Sequence, residues 1–197
     1  INIFNFELMN FPILSSLILL PIIGSLFLLL SKDKNSNTGK YVALFTSFVN
    51  FLISIYLWYQ FDPTTSDFQF VEDREWLKGF INYKVGIDGI SILFIVLTSL
   101  ITPLCIISVN NTVKDRLRDF LIAILVMESL MIGVFCSLDL VIFYLFFEAG
   151  LIPMFLIIGI WGGARRVYSA FKFFLYTLLG SVLMLIAIIS IYWISGT

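Results

Sequence analysis

The chain has 197 residues, of which 60% are hydrophobic and 13% charged, and its mean hydropathy is +1.03. Soluble domains are about 45–50% apolar, so this composition excludes an ordinary soluble domain and indicates a protein of the lipid bilayer. The 12 Lys and Arg nearly balance the 13 Asp and Glu, and the net charge of -1 excludes a basic surface for nucleic acid.

Six apolar segments are long enough to cross a membrane. A bilayer core of about 30 Å needs about 20 apolar residues in a helix, because lipid offers the backbone no hydrogen-bond partner. The first segment lacks the basic start and the cleavage site of a signal peptide, so we expect it to be retained. The sequence predicts an all-α integral membrane protein, a single membrane domain over residues 1–197, with helices at 11–30, 41–60, 90–109, 120–138, 140–160 and 173–194.

Basic residues occupy alternate connections between these helices. The first, third and fifth loops and the start of the sixth helix hold nine of them: Lys32, Lys34, Lys40, Lys114, Arg116, Arg118, Arg165, Arg166 and Lys172. The loop at residues 61–89 is mainly acidic, and the fourth connection carries only Asp139. Basic loops favour the cytoplasmic or matrix side, so both termini and the 61–89 loop are predicted on the opposite, outer side.

The 61–89 loop is long for a simple connection. Its apolar positions, from Phe68 to Val71 and at Trp76 and Leu77, fit either a packed hairpin on the membrane surface or an irregular loop. Asp88 directly precedes the third helix and is predicted to cap it by accepting hydrogen bonds from its free N–H groups. A role for Asp88 in a proton pathway is the alternative.

Two carboxylates fall inside predicted helices. Glu128 lies about 12 Å into the fourth helix from the inner face, and Glu148 lies about 13 Å into the fifth from the outer face. A charge at mid-bilayer costs at least about 2.5–3.5 kcal/mol, so such residues face protein or water and serve a function. We predict proton transfer by Glu148, with Glu128 as a candidate relay; the alternative for each is a neutral Glu with a structural hydrogen bond.

The short turn between the fourth and fifth helices predicts that they are antiparallel neighbours, which would allow both carboxylates to face one hydrated cavity. Pro153 has no N–H to donate to the carbonyl oxygen of Ala149, which lies one turn earlier in the helix and next to Glu148. A kink and a bound water are therefore expected there, and a simple bend is the alternative. Asp139 is expected to interact with the positive end of the fifth helix rather than to relay protons. Lys172 is expected to extend to the inner face.

The sequence has no His, and its two Cys have no metal-ligand spacing. We therefore expect no zinc, haem or iron–sulfur site on this chain. Any redox cofactor is expected on another subunit.

Several motifs resemble those of a known family. Gly86-Ile87-Asp88-Gly89-Ile90-Ser91, Asp139-Leu140, Phe146-Phe147-Glu148 and Leu151-Ile152-Pro153-Met154 are similar to the antiporter-like subunit of NADH dehydrogenase (complex I), called subunit 4 in mitochondria and M in bacteria. Trp161-Gly162 and Lys172-Phe173-Phe174-Leu175-Tyr176-Thr177-Leu178-Leu179-Gly180-Ser181 extend the resemblance. It implies that the chain is the N-terminal part of a proton-translocating fold of about fourteen helices.

The resemblance also implies roles and partners. Glu148 corresponds to the helix-five glutamate of the proton pathway, which pairs with a lysine on helix seven, and Glu128 to a helix-four glutamate of mitochondrial members. NAD, FMN, iron–sulfur clusters and ubiquinone would bind other subunits, and the partners would be membrane-arm subunits and lipids. Because helix seven is missing from this chain, we expect a second polypeptide from a split gene to supply it; a fragment is the alternative.

Two other functions are compatible with the sequence. One is a subunit of a multisubunit cation/proton antiporter, which needs no redox partner, and the other is a non-catalytic scaffold with structural carboxylates. Richness in Phe, Ile, Asn and Tyr indicates an AT-rich, organellar genome. The expected location is therefore the mitochondrial inner membrane, with both termini in the intermembrane space; a bacterial plasma membrane with periplasmic termini is the alternative.

Overall fold

The computed structural model describes residues 12–30, 37–77, 81–109, 113 and 115–195. Six helices in these ranges are long and apolar enough to cross a membrane, which confirms the predicted six-helix membrane fold. In chain order the elements are α1 (Ile13–Leu30), α2 (Asn37–Gln60), β1 (Gln69–Leu77), β2 (Ile81–Ile87), α3 (Ser91–Ser108), α4 (Leu117–Cys136), α5 (Leu140–Trp161) and α6 (Arg166–Ser195).

Three helices differ from the predicted bounds by three residues or more at one end. The helix α2 begins at Asn37 rather than Tyr41, α4 covers Leu117–Cys136 rather than 120–138, and α6 begins at Arg166 rather than Phe173. Hydropathy marks only the apolar part of a helix, whereas polar residues continue a helix beyond the hydrocarbon region. Lys172 therefore lies inside α6, with its Nζ 6.0 Å from the ring centroid of Tyr168.

Some of the predicted features lie outside the described residues. They are the first residue of the predicted first helix, residues 31–36 of the first loop, and three of the basic loop residues, Lys32, Lys34 and Lys114.

The helix α4 is central to the bundle, because it packs against α1, α2, α3 and α5. Gly133 permits the close approach of α5: a Cβ atom at this position would lie 2.6 Å from Cδ1 of Phe146. Ser129 lies on another side of α4, and its Oγ donates to the carbonyl oxygen of Ile18 in α1 at 2.5 Å. The prediction that α4 and α5 are adjacent is confirmed.

The loop at residues 61–89 forms a hairpin, which decides between the two predicted alternatives. Strands β1 and β2 pair antiparallel, with Arg74 opposite Tyr83, and the register shifts near Phe70, whose φ is 53°. The hairpin is attached to the turn between α4 and α5, where the N–H of Leu138 donates to the carbonyl oxygen of Lys84 at 3.0 Å. The hairpin thus covers the ends of α4 and α5.

Asp88, predicted as a cap, and Asp139, predicted to interact with the positive end of its helix, both cap helix starts. The Asp88 carboxylate accepts from the N–H groups of Ile90 at 3.1 Å and Ser91 at 2.6 Å, at the start of α3. The hydrogen bond from the backbone of Ser91 holds the pKa of Asp88 below its usual value. At the start of α5, Asp139 accepts from the N–H groups of Val141 at 2.8 Å and Ile142 at 3.1 Å.

Candidate functional site

Glu128 lies within the bundle and is paired with an amide. Its side chain is 2% exposed, and its Oε1 accepts a hydrogen bond of 2.9 Å from Nδ2 of Asn50 in α2. Within the described residues, Oε2 of Glu128 and Oδ1 of Asn50 have no hydrogen-bond partner. Among the described residues, the carboxyl group is therefore held by a hydrogen bond at one of its two oxygens only.

Asn50 belongs to a polar stripe on α2, formed by Ser47, Asn50 and Ser54, all fully buried. Residues three and four apart lie on one side of a helix, so these three side chains face the same way. Ser54 extends the stripe toward α3, because its Oγ lies 2.7 Å from Oγ of Ser99. Buried polar side chains in a membrane bundle join helices by hydrogen bonds, so the stripe connects α2 with both α3 and α4.

A cavity of about 200 Å³ lies beside Glu128, between α3 and α4. Thr98 and Thr102 of α3 contribute hydroxyl groups to its lining. Both hydroxyls donate to backbone carbonyl oxygens of their own helix, which leaves their oxygen lone pairs as acceptors. The cavity exceeds the roughly 30 Å³ that one water occupies in the liquid, but its lining is mainly apolar, with Ile and Met side chains around the few polar groups.

Glu148 lies on α5, about 12 Å along the helix axis from Leu140. Its side chain is partly buried, and its Oε2 is buried without a hydrogen-bond partner among the described residues. The helix α4 ends at Cys136, at the same end of the bundle as Leu140, and Glu128 lies about 12 Å from Cys136 along the helix axis. The two carboxyl groups thus lie at similar depth on adjacent helices.

The two groups nevertheless face different directions, which differs from the prediction that both face one cavity. The cavity beside Glu128 is lined by α3 and α4, and Glu148 does not line it. Glu128 and Gly133 are five residues apart, which corresponds to about 140° around the helix. Because Gly133 faces α5, Glu128 is directed away from α5 and toward α2.

The other residues predicted at the site lie on α5. Pro153 is buried within the helix, one turn beyond Glu148, and it leaves the Ala149 carbonyl without an intrahelical N–H donor. Asp139 caps the start of the helix, at a distance of about 13 Å from Glu148 along the axis. Asp139 therefore acts on the helix terminus, as predicted.

Sequence reasoning did not identify Asn50 or Glu72. Asn50 is 78 residues from Glu128, and its only local signal was the spacing of the polar positions along α2. Glu72 is in β1, and its carboxylate accepts from the N–H of Leu14 at 2.8 Å and from the Ser15 hydroxyl. Nothing in the sequence near Leu14 indicates this distant cap.

The fold and the site together define a class of protein. Within the described residues, six helices are long and apolar enough to span a membrane, Glu128 is deeply buried among them, and Glu148 lies at similar depth; each carboxyl group has one oxygen without a hydrogen-bond partner there. This arrangement is typical of polytopic membrane proteins that move protons or ions.

Comparison with known proteins identifies the family. Residues 137–197, which include Glu148, match the family model described as NADH:quinone oxidoreductase/Mrp antiporter, TM. NADH-quinone oxidoreductase subunit M of Rhodobacter capsulatus is 59% identical over 165 residues, covering 84% of this chain and 31% of that protein. NADH-ubiquinone oxidoreductase chain 4 of Marchantia polymorpha is 47% identical over 186 residues, covering 93% of this chain and 38% of that protein.

The fold is shared with a solved respiratory assembly. A chain of the membrane-bound sulfane sulfur reductase (MBS), an archaeal respiratory membrane complex, superimposes with a TM-score of 0.75 at 20% identity. The match covers 92% of this chain and 28% of the archaeal one. The chain belongs to the antiporter-like family that contains subunit M and chain 4 of NADH:quinone oxidoreductase, and it spans about a third of the length of those relatives.

Proposed function

We propose that this chain is a proton-translocating component of the membrane arm of NADH:ubiquinone oxidoreductase, with Glu148 as the proton-transfer residue. The observation that carries the proposal is a carboxyl oxygen buried at membrane depth without a hydrogen-bond partner among the described residues, inside the segment that matches the family model. The carboxylate accepts a proton to become a neutral acid, and it releases that proton to the next carrier when a cation or a water favours the charged form.

Glu128 is proposed as a second relay group. The cavity beside it and its unpaired Oε2 support exchange with water, and the hydrogen bond from Asn50 fixes the orientation of the carboxyl group. Because Glu128 and Glu148 face different directions, a proton passing between them needs an intermediate carrier or a rotation of a side chain. A structural hydrogen bond with Asn50 alone remains the competing role.

Among the described residues, no basic side chain forms an ion pair or a hydrogen bond with Glu148, and the resemblance implies a lysine on helix seven as its partner. We infer that further membrane helices contribute the basic partner of Glu148.

The redox cofactors and the quinone are proposed to bind other subunits, so that this chain contributes proton transfer to an enzyme whose electron transfer occurs elsewhere. The location proposed is the mitochondrial inner membrane. Arg116, Arg118, Arg165 and Arg166 lie at the opposite end of the bundle from the hairpin, which supports a matrix location for the basic end and an intermembrane-space location for the termini.

A cation/proton antiporter subunit is the second candidate function, because the description of the family model names both protein classes. The deciding experiment is to tag this chain in its source organism and purify the assembly in mild detergent. Co-purification of flavin, iron–sulfur subunits and NADH:quinone oxidoreductase activity supports the proposal. An assembly that contains other membrane subunits but oxidises no NADH would support the antiporter and contradict it.

A further inference from the structure

The side chains of Glu128 and Asn50 leave two buried oxygen atoms unsatisfied. Nδ2 of Asn50 donates to Oε1 of Glu128 at 2.9 Å, whereas Oε2 of Glu128 and Oδ1 of Asn50 have no hydrogen-bond partner among the described residues. Glu128 is 2% exposed and Asn50 is fully buried. An amide oxygen and a carboxylate oxygen are both acceptors, and a buried acceptor without a donor destabilises a fold. Each of the two atoms therefore needs a donor.

The hydroxyl groups of the polar stripe, of the cavity beside Glu128 and of the neighbouring position on α4 are already engaged as donors. Each donates to a backbone carbonyl oxygen, at distances of 2.5–3.1 Å. The residues concerned are Ser47, Ser54, Thr98, Ser99, Thr102 and Ser129. Because a hydroxyl group carries a single proton, these side chains have none left for the two unsatisfied oxygens.

The helices around Glu128 also offer no counter-ion at its depth. Helices α1 and α3 contain no Lys or Arg. Lys40 is ten residues before Asn50 on α2, and Arg118 is ten residues before Glu128 on α4, so each lies about 15 Å away along its helix. Cys105 lines the cavity but forms no hydrogen bond with Glu128 in the described part of the chain, and Glu148 faces another direction. A charged Glu128 would therefore be a buried charge without a cation among the described residues, which is strongly disfavoured.

One proton on Oε2 of Glu128 accounts for both unsatisfied atoms and for the missing counter-ion. It converts Oε2 from an acceptor into a donor, for which Oδ1 of Asn50 is a complementary acceptor. A carboxylic acid and an amide associate through two such hydrogen bonds, one from the amide N–H to the acid carbonyl oxygen and one from the acid O–H to the amide oxygen. The first of these bonds is the one of 2.9 Å from Nδ2 to Oε1. The neutral acid also suits the mainly apolar lining of the cavity.

We propose that Asn50 is a positioning residue that holds Glu128 as a neutral carboxylic acid, in a cyclic acid–amide pair between α2 and α4. The proton sits on Oε2 of Glu128 and is donated to Oδ1 of Asn50. The pair itself does not depend on proton translocation. Its consequence for a relay does rest on the proposed function: Glu128 acts first as a donor. The acid separates from Asn50 and passes its proton to the next carrier, and the carboxylate then takes up another proton and re-forms the pair.

The test is the infrared spectrum of the native assembly that contains this chain, recorded in nanodiscs at neutral pH without substrate. The C=O stretch of a carboxylic acid lies at a higher frequency than the bands of a carboxylate, so subtracting the spectrum of Glu128→Gln from that of the wild type shows the state of Glu128. We expect the loss of one acid band, which shifts to lower frequency in D₂O, and no loss of carboxylate bands. The Gln side chain can keep both hydrogen bonds with Asn50, so this variant should assemble. Asp67→Asn, at an exposed position, is the matched control and should retain the acid band.

Variants of Asn50 test its part in the pair. Asn50→Leu removes the amide at similar volume, and the acid band should shift to higher frequency because the acid carbonyl loses its N–H donor. Ser47→Ala, one turn earlier on the same stripe, is the matched control and should leave the band in place. The double variant Asn50→Asp with Glu128→Gln exchanges the acid and the amide without changing either length. It should restore the acid band that Glu128→Gln loses, and it decides the question if Asn50→Leu fails to assemble.

Four results would overturn the proposal. They are the loss of carboxylate bands in place of an acid band in Glu128→Gln, an acid band at unchanged frequency in Asn50→Leu, no acid band in the exchanged double variant, and loss of the wild-type band when Na⁺ replaces choline in the buffer at constant pH. The last result would show that the two oxygens bind a cation instead of sharing a proton. The spectra are recorded without turnover, so the acid–amide pair and the proposed function fail independently.

Discussion

The carboxylate of Glu72 fixes the start of α1 from a strand more than fifty residues away in sequence, and its removal gives a sharp test of the fold. Its oxygens accept from the N–H of Leu14 at 2.8 Å, from the N–H of Ser15 at 3.3 Å and from the Ser15 hydroxyl. Replacing a capping side chain by Ala costs about 0.5–2 kcal/mol, and loss of a negative charge at a helix N-terminus adds about 0.3–1 kcal/mol.

Glu72→Ala should therefore destabilise the first turn of α1 by about 1–3 kcal/mol, which increases its local opening by roughly 5-fold to 150-fold. The assay is amide hydrogen exchange followed by mass spectrometry on peptides covering the start of α1, in detergent or nanodiscs. Asp73→Ala is the matched control, because Asp73 is exposed and, among the described residues, pairs only with Lys84, at 3.5 Å across the hairpin. Surface ion pairs contribute about 0–1 kcal/mol, so the control should leave α1 unchanged. Equal exchange in Glu72→Ala and Asp73→Ala would refute the capping role.

Three further predictions concern the bundle. Gly133→Ala places a Cβ atom against the Phe146 ring and should destabilise the α4–α5 contact by about 1–3 kcal/mol, measured by thermal unfolding. Phe146→Leu should partly rescue this loss. An unchanged Tm in Gly133→Ala would contradict the close approach of the two helices. Asn50→Ala should lower the free energy of unfolding by about 0.6–1.7 kcal/mol, and a double-mutant cycle with Glu128→Ala should assign most of that loss to their hydrogen bond. Purely additive effects of the two substitutions would contradict this assignment. The pKa of Asp88 is lower in the folded protein than the ordinary Asp pKa of about 3.9. Its carboxylate therefore stabilises α3 fully at pH values above that ordinary pKa, and the stabilisation is lost as the pH falls through the lowered pKa. The stability difference between wild type and Asp88→Asn should therefore change below about pH 4 and stay constant above it, and a difference that varies only near neutral pH would argue against Asp88 as its origin.

Features governed by local sequence were predicted well. Hydropathy identifies the six candidate membrane spans of the described residues, because the bilayer imposes a minimum length and an apolar composition on a helix. The caps at Asp88 and Asp139 follow from the position of each residue directly before an apolar run. The pairing of α4 with α5 follows from the short turn between them.

Features governed by distant contacts were not predicted. The hairpin remained one of two alternatives, because its strands are stabilised by the ends of α4 and α5 as well as by each other. Asn50 and Glu72 act on helices 78 and 58 residues away, and neither distance can be read from a local pattern. The direction of Glu128 depends on which side of α4 receives α2 and which receives α5, and hydropathy does not distinguish these sides.

The proposal for Glu148 also explains why so polar a group is kept inside an apolar helix. A buried Gln would also cost free energy unless its amide were hydrogen-bonded, so burial alone does not distinguish a structural Glu148 from Gln. Proton transfer does require the carboxyl group, because an amide cannot take up and release a proton at physiological pH.

The measurement that tests this account most directly is the number of protons ejected per NADH oxidised by vesicles containing the assembly with Glu148→Gln. The matched control is Asp67→Asn, which neutralises an exposed carboxylate outside the membrane. The account predicts that Glu148→Gln assembles normally but loses coupled proton ejection, with Asp67→Asn unaffected. Unchanged proton ejection by a fully assembled Glu148→Gln variant would contradict it.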